Sequence, residues 1–230
     1  MRILSPLLLA ATLSLVPLTA ALAETASLTV TGMATVETTP DLATLSLGVT
    51  TNGATAGAAM AANSDALAAV IARLKATGVE DGDIQTTNLS LNPNWVTNAA
   101  GTASEIKGYI ATNMVSVRIR ALDKTGAVLD AAIADGANAM NGLYFGLQDP
   151  RPSEDQARKL AVADAVARAT LLSEAAGTKL GPILSINEGS MAQPLPAPMY
   201  RMTDATSAVP VEAGALGISA FVTIVFKIGD

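Results

Sequence analysis

The chain contains no cysteine and no histidine. Without cysteine there is no disulfide framework, no thiolate nucleophile, no iron–sulfur cluster and no lipid attachment through an N-terminal Cys. Without histidine there is no Ser-His-Asp triad, no ordinary zinc site and no His-ligated haem. Aromatic residues are scarce: one Trp, three Tyr and three Phe in 230 residues, few for a sugar-stacking or base-stacking surface. Positive charge is also short. The formal net charge is −6, whereas a nucleic-acid partner calls for clustered Lys and Arg. The expectation is no cofactor, no metal site and no nucleic acid. Carboxylates, Lys, Ser and Tyr are the catalytic groups that remain.

What is present begins with an address. Met1 and Arg2 make a short positive start, Ile3 to Ala23 carries no charge, and Ala21-Leu22-Ala23 has the small-x-small form that a signal peptidase accepts. The uncharged run is long enough to span a bilayer, but Pro6, Pro17 and the A-x-A end favour cleavage over anchoring. Residues 1–23 are expected to be a signal peptide and 24–230 a single exported domain. No later run is long and apolar enough to cross a membrane. The periplasm is the expected compartment, and a cysteine-free chain suits that oxidising space.

Strands and helices alternate along the rest. Leu28 to Glu37 and Ala43 to Thr50 alternate apolar and polar residues, with Pro40-Asp41 as the turn between them. Residues 54–77 carry Met60, Leu67, Ile71 and Leu74 at helical spacing and stop at Gly78. Ile84 to Val96 reads as extended, and Pro93 marks an edge or a bulge. Asn98 to Ser104 is a small-residue loop, and Val115 to Ala121 is a strand. Asp123 is expected to cap a helix through about Ala137, with Val128, Leu129 and Ile133 inward. Leu143 to Leu147 is a strand. Ser153 and Gln156 have capping-box spacing for a helix that ends at Gly177. That helix carries two apolar stripes: Leu160, Ala163, Ala167 and Leu171 on one side, Val162, Val166 and Ala169 on another. Cover on both sides is therefore expected. Asp164 and Arg168 sit at pairing distance on it. Ile183 to Ile186 and Ile218 to Phe226 complete the strands.

The order strand, Ala-rich helix, stop glycine, strand, loop, strand occurs twice. The reading is an α+β fold of two similar strand–helix–strand–strand lobes, about 42–122 and 143–228, in mixed or antiparallel sheets covered by helices. In this reading the lobes share a core, and the 123–137 helix links them. Residues 191–215 break the pattern as a long loop with Pro194, Pro196, Pro198 and Pro210.

Candidate chemistry is thin. Asp41, Asp83, Glu105, Asp130, Asp149 and Asp155 form the carboxylate pool, and most of them occupy expected turn or cap positions. Ser104 and Lys107 spell S-x-x-K in an expected loop or strand start, without the helix that gives the string meaning. Met191, Met199 and Met202 could take soft Cu(I) or be oxidised sacrificially, but an adaptable loop explains them more simply. Pro194, Pro196 and Pro198, with Met199, Tyr200, Arg201 and Met202, are the candidate partner-docking segment; a solvated linker is the competing reading. The two-striped helix points to a homo-oligomer. No catalytic residue is assigned.

Several short motifs occur in a fixed order. They are Val30-Thr31-Gly32, Pro40-Asp41, Asp83-Ile84-Gln85-Thr86, Gly108-Tyr109-Ile110-Ala111, Gly136-Ala137-Asn138 before Leu143 and Phe145, Ala157-Arg158 before 161–165, and 210–214 before the last strand. Over nearly all of 27–228 this order resembles the SIMPL-domain family of exported bacterial proteins, which includes periplasmic immunogenic proteins. Ala213 departs from the proline that family members often carry there. The resemblance implies envelope proteins linked to stress tolerance, oxidative stress included, some of them oligomeric or associated with the outer membrane. It brings no catalytic residues. The motif residues have structural explanations: Gly32 and Gly108 permit strand bends, Asp83 ties down its own turn, Gln85 lies at a sheet edge and Tyr109 is half-buried. The combined expectation is a non-enzymatic envelope protein that self-assembles or meets another envelope protein. The alternative is a small-ligand or docking protein using an inter-lobe cleft or the proline-rich loop.

Overall fold

The computed structural model describes residues 26–97, 101, 104–189, 195–197 and 211–229, with 195–197 described by backbone alone. The expected signal peptide, 1–23, lies outside the described residues. The two alternating segments become β1 (Ser27–Thr38) and β2 (Leu42–Gly53). The helix α1 (Ala56–Ala76) starts where the Thr55 hydroxyl accepts the Ala58 N–H at 3.2 Å. It is followed by Gly78 at φ +97°, the left-handed conformation that stops a helix at little cost in glycine. A 3-10 turn at Asp81–Asp83 leads into a long hairpin, β3 (Ile84–Thr97) and β4 (Ser104–Ile119). A second 3-10 turn, Leu122–Lys124, precedes α2 (Thr125–Ala134) and β5 (Ala139–Gly146). Then come α3 (Arg151–Ala175), β6 (Lys179–Glu188), β7 (Leu195–Ala197) and β8 (Ala215–Gly229).

Two sheets result, and every pairing in them is antiparallel. One has the order β3-β4-β2-β5. The other has β1-β8-β6, with β7 beside the far end of β8. The fold is α+β, as the alternation implies. The two sheets do not share a core. Leu45, Leu47, Val49, Leu67, Val70, Leu74, Val115 and Val117 are buried between the first sheet and α1, and Val128 and Leu129 of α2 join them. Val30, Val222, Ile224 and Phe226 are buried with four alanines of α3 in a separate cluster.

The repeat exists, in a shifted frame. Segments β2-α1-β3-β4 assemble as β3-β4-β2, and β1-α3-β6-β8 assemble as β6-β8-β1. The second copy takes its first strand from the start of the chain. The Leu143 strand, expected to open the second lobe, lies in β5 and pairs with β2 instead. The 123–137 helix does not link two lobes either, because α2 packs on α1 and into the first core. Strand alternation fixes which face of a strand is buried and says nothing about its neighbour, so this frame was not visible in the sequence.

Local expectations need four corrections. Asp123 sits in the 3-10 turn and caps nothing; Lys124 precedes α2 without a side-chain cap bond. Ile133 is 53% exposed rather than inward. Ser153 and Gln156 lie inside α3, which starts at Arg151; there Asp149 accepts the Arg151 N–H at 3.1 Å. Only one line of α3 is covered: Ala157, Ala161, Ala165, Ala169 and Ser173 are buried, whereas Leu160, Ala163, Ala167 and Leu171 face solvent. In α1 the buried line is Ala59, Asn63, Leu67, Val70 and Leu74, so Met60 and Ile71 flank it.

Candidate functional site

The carboxylates do not converge on one cleft. Glu105 pairs with Lys107 on β4, so the S-x-x-K string lies on a strand. Asp155 pairs with Arg158 at 2.7 Å. Asp130 is half-buried on α2. Among the described residues no group of three His, Cys, Asp or Glu stands ready to hold a metal ion.

Asp83 is different: it is a buried carboxylate, 4% exposed, at the foot of β3. It does not tie down its own turn. Arg120 grips it with two bonds, Nε to Oδ2 at 2.7 Å and Nη2 to Oδ1 at 2.9 Å. Arg118 adds Nη2 to Oδ1 at 2.9 Å and donates to the Gly82 carbonyl at 3.1 Å. The alternation of β4 and of the residue that follows it puts Arg118 and Arg120 on one face, with Val117 and Ile119 in the core on the other. The Arg120 hydrogen bonds hold the Asp83 carboxyl below the ordinary carboxylate range; burial opposes them and the charges of Arg120 and Arg118 assist. Such a group is a poor proton acceptor near neutral pH.

The network reaches further. Arg120 Nη1 donates to Gln148 Oε1 at 2.7 Å, and Gln148 donates its backbone N–H to Asp41 Oδ1 at 2.7 Å and its side-chain amide to the Asp41 carbonyl at 3.1 Å. Asp41 lies between β1 and β2, and Gln148 between β5 and α3. The chain crosses from one sheet to the other at these two places, and the bonds tie both crossings to the Asp83 cluster. A cavity of about 190 Å³ beside it is lined by Asp83, Arg118, Arg120 and Lys124 among others. Its walls come from residues 77–128 alone, so it is not an inter-lobe cleft. Two further cavities, of about 260 and 340 Å³, likewise draw only on residues 47–140 and 52–109.

The second notable region is a projecting ribbon. Pairing of β2 with β4 ends at Gly53 opposite Tyr109, yet β3 and β4 stay paired out to Thr97 and Ser104. Beyond Gly53 this part of the sheet is only two strands wide. Gly108, at φ +149°, sits at the step, where a Cβ would come within 2.7 Å of the Gly53 carbonyl oxygen. The ribbon carries Trp95 opposite Ile106, with Val96 beside them, all exposed, and Trp95 is 58% exposed; Leu89 and Leu91, also exposed, lie on β3 where β4 still pairs with β2. Sequence reasoning placed this edge strand and its bulge correctly but missed its reach. The available signal was the one Trp in an alternating apolar run with no helix to cover it. Apolar side chains are also exposed on α3, at Leu160, Leu171 and Leu172, and on β6, at Ile183, Leu184 and Ile186.

Of the expected docking segment, only Pro196 falls among the described residues. It lies on β7, paired with Leu216 of β8. Pro194, Pro198, Met199, Tyr200, Arg201 and Met202 lie outside them, as does Met191.

Comparison with known proteins finds relatives over most of the chain. A 26 kDa periplasmic immunogenic protein of Brucella melitensis is 34% identical over 213 residues, 88% of this chain and 85% of that protein. The uncharacterized protein YggE of Escherichia coli (strain K12) is 33% identical over 182 residues, 79% of this chain and 72% of that protein. None of these names describes an enzyme. The family profile described as SIMPL, a protein of unknown function (DUF541), matches residues 28–226, from the first strand of the fold into the last. The chain belongs to the SIMPL family.

Proposed function

We propose that this protein is a non-enzymatic component of the periplasm that works by assembling with further copies of itself. The exported location is supported by the N-terminal sequence and by the name of the Brucella relative. Among the described residues, no helix is long and apolar enough to cross a membrane.

The observation that carries the assembly reading is the β3–β4 ribbon. A lone two-stranded hairpin is marginal in water and gains stability from a third strand or a packed face. This one extends past its sheet and presents Trp95 and Ile106 to solvent. Exposed apolar groups gathered in one place mark an interaction surface, and a buried tryptophan is a typical anchor of one. A second copy is the occupant we assign. The chain also exposes Leu160 and Leu171 on the outer side of α3, and contact between two different patches generates rings where the rotation closes. Residues 194–202, tethered to β8 through β7, are retained as a second docking segment. A role in tolerance of oxidative stress is part of the proposal and rests on the family resemblance.

The chain's one Trp makes the test direct. The mass of residues 24–230 is measured by light scattering across a concentration range while tryptophan emission is followed. The expected result is a discrete oligomer whose Trp95 emission shifts to the blue as it forms, and a Trp95→Ser/Ile106→Ser variant that remains monomeric. A monomer at every concentration would defeat the reading.

A further inference from the structure

Each sheet has two margins, and three of the four are interrupted. β3 carries Pro93 and two register shifts, β5 one shift and β6 two. β1 has none: its twelve residues pair with β8 in unbroken register, and Glu37 is its one charged side chain. A long, flat, nearly uncharged edge is a template for adding another strand. In an antiparallel ladder, alternate residues turn their N–H and C=O away from the paired neighbour. On β1 these include Thr31 and Met33.

One outward group of each is taken, and by a side chain. Asp164 Oδ2 accepts the Met33 N–H at 2.9 Å, and Arg168 Nη1 approaches the Thr31 carbonyl oxygen at 3.5 Å. Arg168 Nε donates to Asp164 Oδ1 at 3.1 Å and fixes the pair. One acceptor and one donor, set two residues apart along the edge, are what a neighbouring strand would offer. The short Asp164 side chain reaches because α3 lies directly on the β1 backbone. At Gly32, between the two bonded residues, a Cβ would come within 2.1 Å of the Ala161 carbonyl oxygen and 2.4 Å of the Ala165 nitrogen. The alanine line of α3 and the glycine of β1 together bring the helix this close.

We propose that Asp164 and Arg168 are an edge guard: they occupy two outward hydrogen-bonding positions in the middle of β1 and so prevent the β1 strand of a second copy from adding to the sheet in register. The excluded partner is a second β1 because it brings the same free edge, and an antiparallel pair of identical strands closes on a two-fold axis. The guard concerns a different margin from the β3–β4 ribbon and stands without the assembly proposal.

Amide hydrogen exchange of residues 24–230 reads the guard directly. Thr35 is the internal control, because its N–H also points outward and nothing described accepts it. The Met33 amide is expected to exchange at least ~10-fold more slowly than that of Thr35. Asp164→Ala abolishes the difference, and Asp164→Asn keeps part of it because its amide oxygen still accepts. The consequence is tested in the Trp95→Ser/Ile106→Ser background, which separates it from ribbon-driven assembly. There Asp164→Ala/Arg168→Ala is expected to give about a twofold rise in mass through strand pairing. Should that variant fail to fold, Arg168→Ala alone frees the Thr31 carbonyl and gives a smaller rise. Equal exchange at Met33 and Thr35 in the unmodified chain, or an unchanged mass in the folded guard variants at every concentration, would overturn the proposal.

Discussion

The two halves of the molecule solve one topological problem with opposite side chains. In both, a helix covers a three-stranded path with the order second strand, third strand, first strand. The helix α1 meets its sheet through Leu67, Val70 and Leu74 against Leu45, Leu47 and Val115, large groups that hold the layers apart. The helix α3 meets its sheet through Ala157, Ala161, Ala165 and Ala169, with Gly32 beneath. Large side chains stabilise by burying area; small ones bury less and instead let backbones approach. The close approach lets α3 hydrogen-bond the margin of its sheet, as Asp164 does to Met33. In α1 the helix-to-sheet hydrogen bonds lie in its first half: Thr51 Oγ1 donates to the Ala59 carbonyl at 2.8 Å, and Asn63 Nδ2 donates to the Val49 carbonyl at 2.8 Å and the Ala111 carbonyl at 3.0 Å.

The contrast can be broken by adding volume in one half and removing it in the other. Gly32→Val drives a branched side chain into the α3 backbone, which cannot yield without leaving the sheet. Its expected loss is ~3–5 kcal/mol in urea unfolding, the largest single effect. Leu74→Ala empties a fully buried position in the other half and is expected to lower stability by about 2–4 kcal/mol. If Gly32→Val proved as mild as a surface change, the close-packing account of α3 would fail.

Asp83→Asn tests what ties the two halves at their crossings. It removes the charge held by Arg118 and Arg120, and about 2–3 kcal/mol is expected to be lost near neutral pH, less than for a wholly buried pair because both arginines are half-exposed. The pH dependence follows from the lowered carboxyl pKa. The stabilisation is complete above the unfolded-state value near 4 and is lost as pH falls through the lower folded-state value. The stability gap between the unmodified chain and Asp83→Asn should therefore be constant above about pH 5 and narrow steadily below pH 4. A gap that widened on acidification would contradict the network.

The smallest effect on the folded monomer is expected at Leu171, 65% exposed on the outer side of α3. Leu171→Lys should change unfolding by less than ~0.5 kcal/mol. If this side of α3 receives the ribbon of another copy, the same substitution lowers the mass in solution, so two measurements on one variant separate packing from assembly.

How far these features could be read beforehand varies with their range. Gly78 and Gly177 ended the helices as expected, at φ +97° and +71°. Pro93 marked a real edge and bulge. The Asp164–Arg168 pair formed as its spacing implied, at 3.0 Å. The Met33 end of that pair was invisible, because β1 and α3 are joined through the whole of the first sheet. Asp83 was singled out, but its partners were not: Arg118 lies on β4 and Arg120 just past its end, more than thirty residues away. Asn63 looked like any polar residue in an alanine-rich helix. Its place at the centre of a core depended on two carbonyls 14 and 48 residues away.

The sequence alone determined the order of the main strands and helices, which face of β2, β4 and β8 is apolar, the glycines that stop α1 and α3, and the family. These follow from short-range rules, the periods of two and 3.6 and the conformations open to glycine and proline. The tertiary structure alone decided that β1 rather than β5 completes the second unit, that the two sheets keep separate cores, and that the exposed flank of α3 is left uncovered. Apolar periodicity states that a face must be buried and cannot name what buries it. That choice is made among strands and helices far apart in the chain, by which pairing leaves the fewest backbone groups and apolar faces without partners.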